Sequence, residues 1–183
     1  RARQRSRSRS RFRLMFLVLE GVEGSGKSTQ ARLLAEWLTD AGIAHVLTRE
    51  PGGTQVGEEI RRALLHGGDV PVRTELLLMV AARAAFVEQV VRPALTRGDV
   101  VIADRYELSS FAYQGYGRGL ALEDVRRVNA FATGGVRPDL TILLDVEPHE
   151  GAARRQRAGA AADRIESAGD AVHRAVAEAS RLL

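Results

Sequence analysis

One stretch of the chain constrains its fold more than any other. Gly21-Val22-Glu23-Gly24-Ser25-Gly26-Lys27-Ser28 reads as a glycine, four residues, then Gly-Lys-Ser, the spacing of a phosphate-binding loop. The glycines let backbone N–H groups turn inward around a phosphate. The lysine then reaches the β- and γ-phosphates, and the serine hydroxyl takes Mg²⁺. Phe16-Leu17-Val18-Leu19 precedes the loop, a continuous apolar run of strand length, as a parallel strand buried on both faces requires. After the loop, Leu33, Leu34, Trp37, Leu38 and Ala41 recur at helical spacing, and Gly42 stands where a helix would be capped. Lys27 is the only lysine in the chain, every other cationic side chain of this kind being arginine; a lysine kept alone suits a place that needs a compact ammonium. The bland alternative is a glycine-rich turn that caps a helix. The candidate nucleotide-binding residues are therefore Gly21, Val22, Glu23, Gly24, Ser25, Gly26, Lys27, Ser28 and Thr29.

Residues 45–48 read as a second strand, and 56–65 and 75–95 as helices. The run 100–103 is a third buried strand that ends at Asp104, where phosphate-loop proteins keep the carboxylate of the Mg²⁺ shell; the candidate metal ligands are thus Ser28 and Asp104. A helix over 122–132 is stopped by Gly134-Gly135. Residues 140–144 form a fourth strand ending at Asp145, a short helix begins near Pro148, and a last one covers 170–182. Strands alternating with helices predict an α/β fold, a three-layer doubly wound parallel sheet. In such sheets ligands gather beyond the carboxyl ends of the strands, and the polar clusters sit at those ends.

The net charge of +4 hides an asymmetry: residues 1–14 hold seven arginines and no acid, which leaves −3 for the remainder. A mildly acidic body with a basic tail is not a nucleic-acid-binding fold, although the tail can hold phosphate backbones weakly and in a salt-dependent way. Residues 1–14 are read as a disordered Arg/Ser-rich extension, too poor in apolar residues for an amphipathic transit helix, with Met15 a natural start for the body 15–183. At 183 residues, 45% hydrophobic and without cysteine, the chain fits one domain with neither a disulfide frame nor a thiolate metal site. No run approaches the roughly 18 apolar residues of a membrane span. A soluble cytoplasmic protein is expected.

With Thr48-Arg49-Glu50-Pro51-Gly52-Gly53-Thr54 and Asp104-Arg105-Tyr106 added to the loop, the chain from residue 15 to about 182 resembles the thymidylate kinase family. Ala81-Ala82-Arg83, Tyr113-Gln114-Gly115, Arg137-Pro138-Asp139 and Asp163-Arg164-Ile165-Glu166 carry the same resemblance. It implies phosphorylation of dTMP by ATP with Mg²⁺, and a homodimer. It also implies roles. Arg49 and Arg105 clamp the dTMP phosphate, guanidinium forks matching phosphate oxygens. Glu23 contacts the deoxyribose 3′-hydroxyl, and Tyr113 packs on the sugar. Arg83 bonds the thymine edge, with Ser110 and Gln114 as further polar contacts to the substrate. Residues 151–166 form a lid. The loop interior (Val22, Glu23, Gly24, Ser25) has no arginine, and the resemblance then places the catalytic arginine in the lid. Arg154 and Arg157, three apart on one helix face, are expected ahead of Arg155; with Lys27 and Arg105 they complete the candidate catalytic set. An arginine on a helix is often only a solvated face, and that alternative stands for Arg83 and for the lid.

Two departures stand out. The family stacks an aromatic ring on thymine four residues before the arginine matched by Arg83; here that residue is Met79, which can still lie against a ring. The resemblance also implies a fifth strand and a final helix beyond Leu183, without which weak ATP affinity and an exposed strand edge are expected. A kinase for another nucleotide or nucleoside, and a non-catalytic nucleotide-binding remnant, are the rival readings.

Overall fold

The computed structural model describes residues 15–159, 164–165 and 169–182. The basic extension 1–14, part of the expected lid, and Asp163 and Glu166 lie outside them. Four strands, β1 (Phe16–Glu20), β2 (His45–Arg49), β3 (Val100–Asp104) and β4 (Leu140–Leu143), form one parallel sheet in the order β2-β3-β1-β4. This is the expected doubly wound α/β sheet.

Side chains alternate across a strand, so each continuous apolar run supplies two cores. Phe16 and Val18 of β1 join Val101 and Ala103 of β3 on one face, against Phe86, Val87, Val91 and Tyr106. Leu17 and Leu19 join Val100 and Ile102 on the other, against Ala31, Ala35 and Leu38 of α1 (Lys27–Asp40). The strand β4 is different. Leu140 and Ile142 keep 46% and 37% of their surface exposed, and β4 has β1 as its only strand neighbour among the described residues. Asp139, just ahead of it, accepts the Phe16 N–H at 2.8 Å, which pins the amino ends of β1 and β4 together. The Arg137-Pro138-Asp139 stretch therefore acts at the end of the sheet away from the phosphate loop.

The remaining helices are α2 (Gln55–His66), α3 (Val72–Phe86), α4 (Arg92–Arg97), α5 (Glu107–Ser110), α6 (Leu122–Thr133), α7 (Pro148–Arg157) and α8 (Asp170–Leu182). Thr54 caps α2, its hydroxyl accepting from Gly57 N at 3.0 Å, and Gly134 ends α6 with a positive φ of 52°, as the glycine pair foretold. The single helix expected over 75–95 is instead α3, a π-helical turn (Val87–Val91) and α4. Pro93 has no N–H to give the carbonyl four residues back, and its ring crowds that position; the wider turn, with Arg92 N bonding Val87 O, absorbs it.

A second π-helical stretch, Phe111–Gly117, follows α5. It carries Tyr113 and Gln114 and was not legible as an element. Its fit against α8 depends on glycine: a Cβ at Gly117 would stand 3.1 Å from Val172 and 3.2 Å from Val176. Ala112 and Tyr113 complete a small core with Ile165, Val176 and Ala179.

Candidate active site

A cavity of about 350 Å³ opens beyond the carboxyl ends of β1, β2 and β3. On its wall stand Glu23, Gly24, Lys27 and Ser28 of the phosphate loop, Arg49 and Glu50 after β2, Asp104 and Arg105 after β3, and Met79 and Arg83 of α3. Ser110, Tyr113 and Gln114 line it too. The structure thus brings nearly every expected substrate and phosphate residue to one place.

The loop turns on Gly21, Gly24 and Gly26, with φ of 144°, 74° and 100°, a region that L side chains rarely enter. Two of these glycines also admit a close neighbour. A Cβ on Gly21 would lie 2.6 Å from Leu144 O, and one on Gly24 would lie 2.1 Å from Gly151 O. Gly151 of α7 returns the constraint, its own Cβ position falling 2.2 Å from Glu23 O. Helix α7 therefore rests on the loop through two glycines, where any side chain would hold it off.

Lys27 is buried, with 7% of its surface accessible. Its Nζ bends over the loop and donates to Gly21 O at 3.0 Å and Val22 O at 2.8 Å. Burial, and then the nearby Arg105 guanidinium, lower its pKa to about 8, because both disfavour the charged form. The Ser28 hydroxyl donates to Asp104 Oδ2 at 2.5 Å. Two hard oxygens at that separation, beside a phosphate loop, suit Mg²⁺, which takes few protein oxygens and completes its shell with phosphate and water. Among the described residues no group of three or more His, Cys, Asp or Glu is arranged to hold a metal.

Glu23, Arg105 and Tyr113 form a tight triangle. Arg105 Nη2 is 2.7 Å from Glu23 Oε1, the Tyr113 hydroxyl is 2.6 Å from both Glu23 oxygens, and the guanidinium lies 5.2 Å over the Tyr113 ring centroid. Burial pushes the Glu23 carboxyl up, but Arg105, the Tyr113 hydroxyl and Lys27 outweigh it, so it stays below its ordinary value. Burial lifts the Tyr113 phenol far up, which keeps it a donor. Arg105 has a φ of 77°, the one described non-glycine residue in the left-handed region, a strain of about 1–3 kcal/mol of the sort that gathers at functional sites. Arg49 is more exposed and is held by Glu58 at 3.1 Å.

Arg83 is almost wholly buried and heavily bonded. Its Nε reaches Glu50 at 2.7 Å, Nη1 reaches Ser110 Oγ at 2.9 Å and also Asn129, and Nη2 reaches Tyr106 O at 3.0 Å. A solvated helix face is excluded for it. Met79, one turn earlier, is partly buried against the Tyr113 and Ile165 core.

The lid arginines divide differently from their spacing. Arg154 and Arg157 do share a face, but that face carries Glu150, which takes Arg154 at 3.0 Å and Arg157 at 3.3 Å. Arg155 is the one that lines the cavity. The preference for Arg154 or Arg157 thus meets a helix whose turn, set by the Gly24–Gly151 contact, points their neighbour inward.

Four residues with parts in the site escaped the sequence reading. Glu20 ends β1 fully buried and accepts Tyr106 N at 2.9 Å and Ser109 Oγ at 2.7 Å; an acid closing an apolar strand was its signal. Glu50 sits in the cavity wall, and its Oε1 is the only buried side-chain polar atom among the described residues without a hydrogen-bond partner. Burial, opposed by Arg83, raises its pKa to about 7. Arg61 lines the cavity and donates to Pro51 O at 3.0 Å. Glu75, readable only as a helix start, is buried behind Gln114.

Comparison with known proteins now decides the family. The thymidylate kinase family model matches residues 19–183. The chain belongs to the thymidylate kinase family. It is 50% identical over 161 residues to the thymidylate kinase of Cutibacterium acnes, covering 87% of this chain and 77% of that one. It is 56% identical over 140 residues to that of Synechococcus sp. (strain JA-3-3Ab), covering 76% and 69%. The crystal structure of thymidylate kinase from Ehrlichia chaffeensis is similar with a TM-score of 0.69 and 38% identity, over 78% of each chain. In this family member the phosphate loop and the slot behind Met79 and Arg83 open into one cavity.

Proposed function

We propose that the protein transfers the γ-phosphoryl group of ATP to dTMP, giving ADP and dTDP. The observation that carries this is a single cavity whose wall joins the phosphate loop, at Lys27 and Ser28, to a slot bounded by Met79, Arg83 and Gln114, with Arg105 between them. The acceptor oxygen of dTMP is already anionic at neutral pH, so no general base is needed. It bonds to the γ-phosphorus while the bond to the bridging oxygen breaks, and that oxygen leaves with its electron pair on ADP. The remaining work is positioning and charge stabilisation.

On this reading Arg49 and Arg105 grip the dTMP phosphate and offset its repulsion from ATP. Glu23 accepts the 3′-hydroxyl, and Tyr113 lies against the sugar. Arg83, Ser110 and Gln114 meet the thymine edge, with Met79 on its face. Lys27 exchanges two neutral carbonyls for phosphate oxygens, a stronger charge-assisted bond. Ser28 and Asp104 would hold Mg²⁺, which when bound neutralises phosphate charge. Backbone N–H groups of Gly21 to Thr29 cradle the phosphates, and a lid arginine closes over them.

On this reading the reaction takes place in the cytoplasm; separately, no helix among the described residues is long and apolar enough to cross a membrane. The active form on this reading is a homodimer. Leu77 of α3 and Phe131 of α6 leave 57% and 90% of their surfaces exposed, and a second copy is the occupant that would cover these two apolar side chains. A coupled ADP-release assay with dTMP, dUMP, dCMP, GMP and thymidine tests the function: dTMP should turn over fastest, and equal turnover of another acceptor would replace the assignment.

A further inference from the structure

What Gln114 offers a base depends on which end of its amide is already committed. Its Nε2 donates to Glu75 Oε1 at 2.8 Å, and both residues are 1% exposed. The other carboxylate oxygen, Oε2, accepts from Arg164 Nη2 at 2.7 Å and faces Arg118 Nη2 at 3.5 Å. A carboxylate held between two guanidinium groups has lone pairs to offer and no hydrogen. Such a neighbour admits one orientation of the Gln114 amide, with the nitrogen toward Glu75 and the carbonyl oxygen at the opposite corner. Gln114 also lines the cavity; with its nitrogen drawn toward Glu75, the carbonyl oxygen is the acceptor it can turn to a ligand edge.

We propose that Glu75 is a specificity-determining positioning residue. By fixing the Gln114 amide with its carbonyl as the acceptor for the base, it selects pyrimidines that carry N3–H over cytosine, whose N3 is itself an acceptor. The inference rests on the reading of Gln114 as a base contact. Glu75 touches no substrate and acts only through Gln114. Two acceptors facing each other in a buried slot leave both unpaired, which is how sites built around a hydrogen bond reject an analogue. The same carboxylate holds Arg164, whose Nε donates to Leu64 O at 2.8 Å, so a purely structural anchor is the rival account.

The test is Glu75→Gln, a neutral isostere able to show Gln114 either an oxygen or an amide hydrogen. The quantity measured is the ratio of the dCMP inhibition constant to the KM for dTMP. It should fall tenfold, equivalent to about 1.4 kcal/mol, while relative KM values for dTMP and dUMP, which share N3–H, stay within twofold. Arg118→Gln, which removes only the longer contact, should leave the ratio unchanged. Thermal melting reports folding, and if Glu75→Gln does not fold, the charge-balanced Glu75→Gln/Arg164→Met variant is measured instead. A folded variant whose ratio falls less than fivefold overturns the proposal, since a structural anchor would weaken both nucleotides alike. Gln114→Ala separates the two ideas. If it leaves the KM for dTMP unchanged, the base-contact reading falls and takes the proposal with it; if it raises the KM, only the Glu75 result decides.

Discussion

Glu50 and Arg83 form an ion pair of 2.7 Å with side chains only 3% and 2% exposed, and one Glu50 oxygen is left unbonded beside the cavity. Burial raises this carboxyl to about 7, with Glu20 and Glu107 adding to the rise and Arg83 opposing it. The folded protein therefore binds a proton at Glu50 that the unfolded chain, at an ordinary 4.5, has released.

A pH dependence follows with a definite sign. Between pH 4.5 and 7 the unfolded state carries fewer protons at this site, so its contribution to stability is present at low pH and is lost as pH rises through 7. The loss is on the order of 1–3 kcal/mol. Urea unfolding of wild type and Glu50→Gln across this range measures it. The glutamine variant should lack this component of the slope; identical pH profiles would show that Glu50 does not titrate there.

The contact between α7 and the phosphate loop gives a second expectation. Gly151→Ala would drive its methyl group to 2.2 Å from Glu23 O, so helix or loop must shift, at a cost of about 1–3 kcal/mol. Because the loop moves with the helix, kcat for dTMP phosphorylation should fall more than tenfold. A variant with native melting and native kcat would show that the close approach is not needed.

The lid arginines give a third. A cation supplied to the transferring phosphoryl group is worth roughly 10³–10⁵ in rate. Single alanine variants of Arg154, Arg155 and Arg157, assayed at saturating ATP and dTMP, should include one whose kcat collapses while its KM for dTMP holds. Position at the cavity puts Arg155 first, with Arg154 and Arg157 next if closure frees them from Glu150. Losses below tenfold, about 1.4 kcal/mol, in all three would remove the lid as the source.

Much of this is legible in the sequence itself. The phosphate loop between an apolar run and a helical period specified β1, α1 and the parallel sheet, since few arrangements bury a strand on both faces. Asp104 and Arg105 could be placed because they close such a strand. Other features were hidden for physical reasons. A π-helical turn leaves no period, so Gln114 could be named only by resemblance and its stretch went unassigned. Glu20, Glu50 and Glu75 look like surface acids, because burial of a carboxylate depends on partners that the fold brings from 33 or more residues away, as Arg83 is brought to Glu50. Helical spacing grouped Arg154 with Arg157, yet which face turns inward is set by the Gly24–Gly151 contact, a relationship across the fold.

The most direct measurement is ³¹P NMR of ATP, dTMP and Mg²⁺ incubated with the protein. The expected result is growth of dTDP and ADP resonances in equal amounts as ATP and dTMP decline, and loss of that conversion by a factor of 10³ or more, about 4 kcal/mol, in Lys27→Ala. ATP consumption without dTDP, or undiminished dTDP formation by Lys27→Ala, would contradict the account.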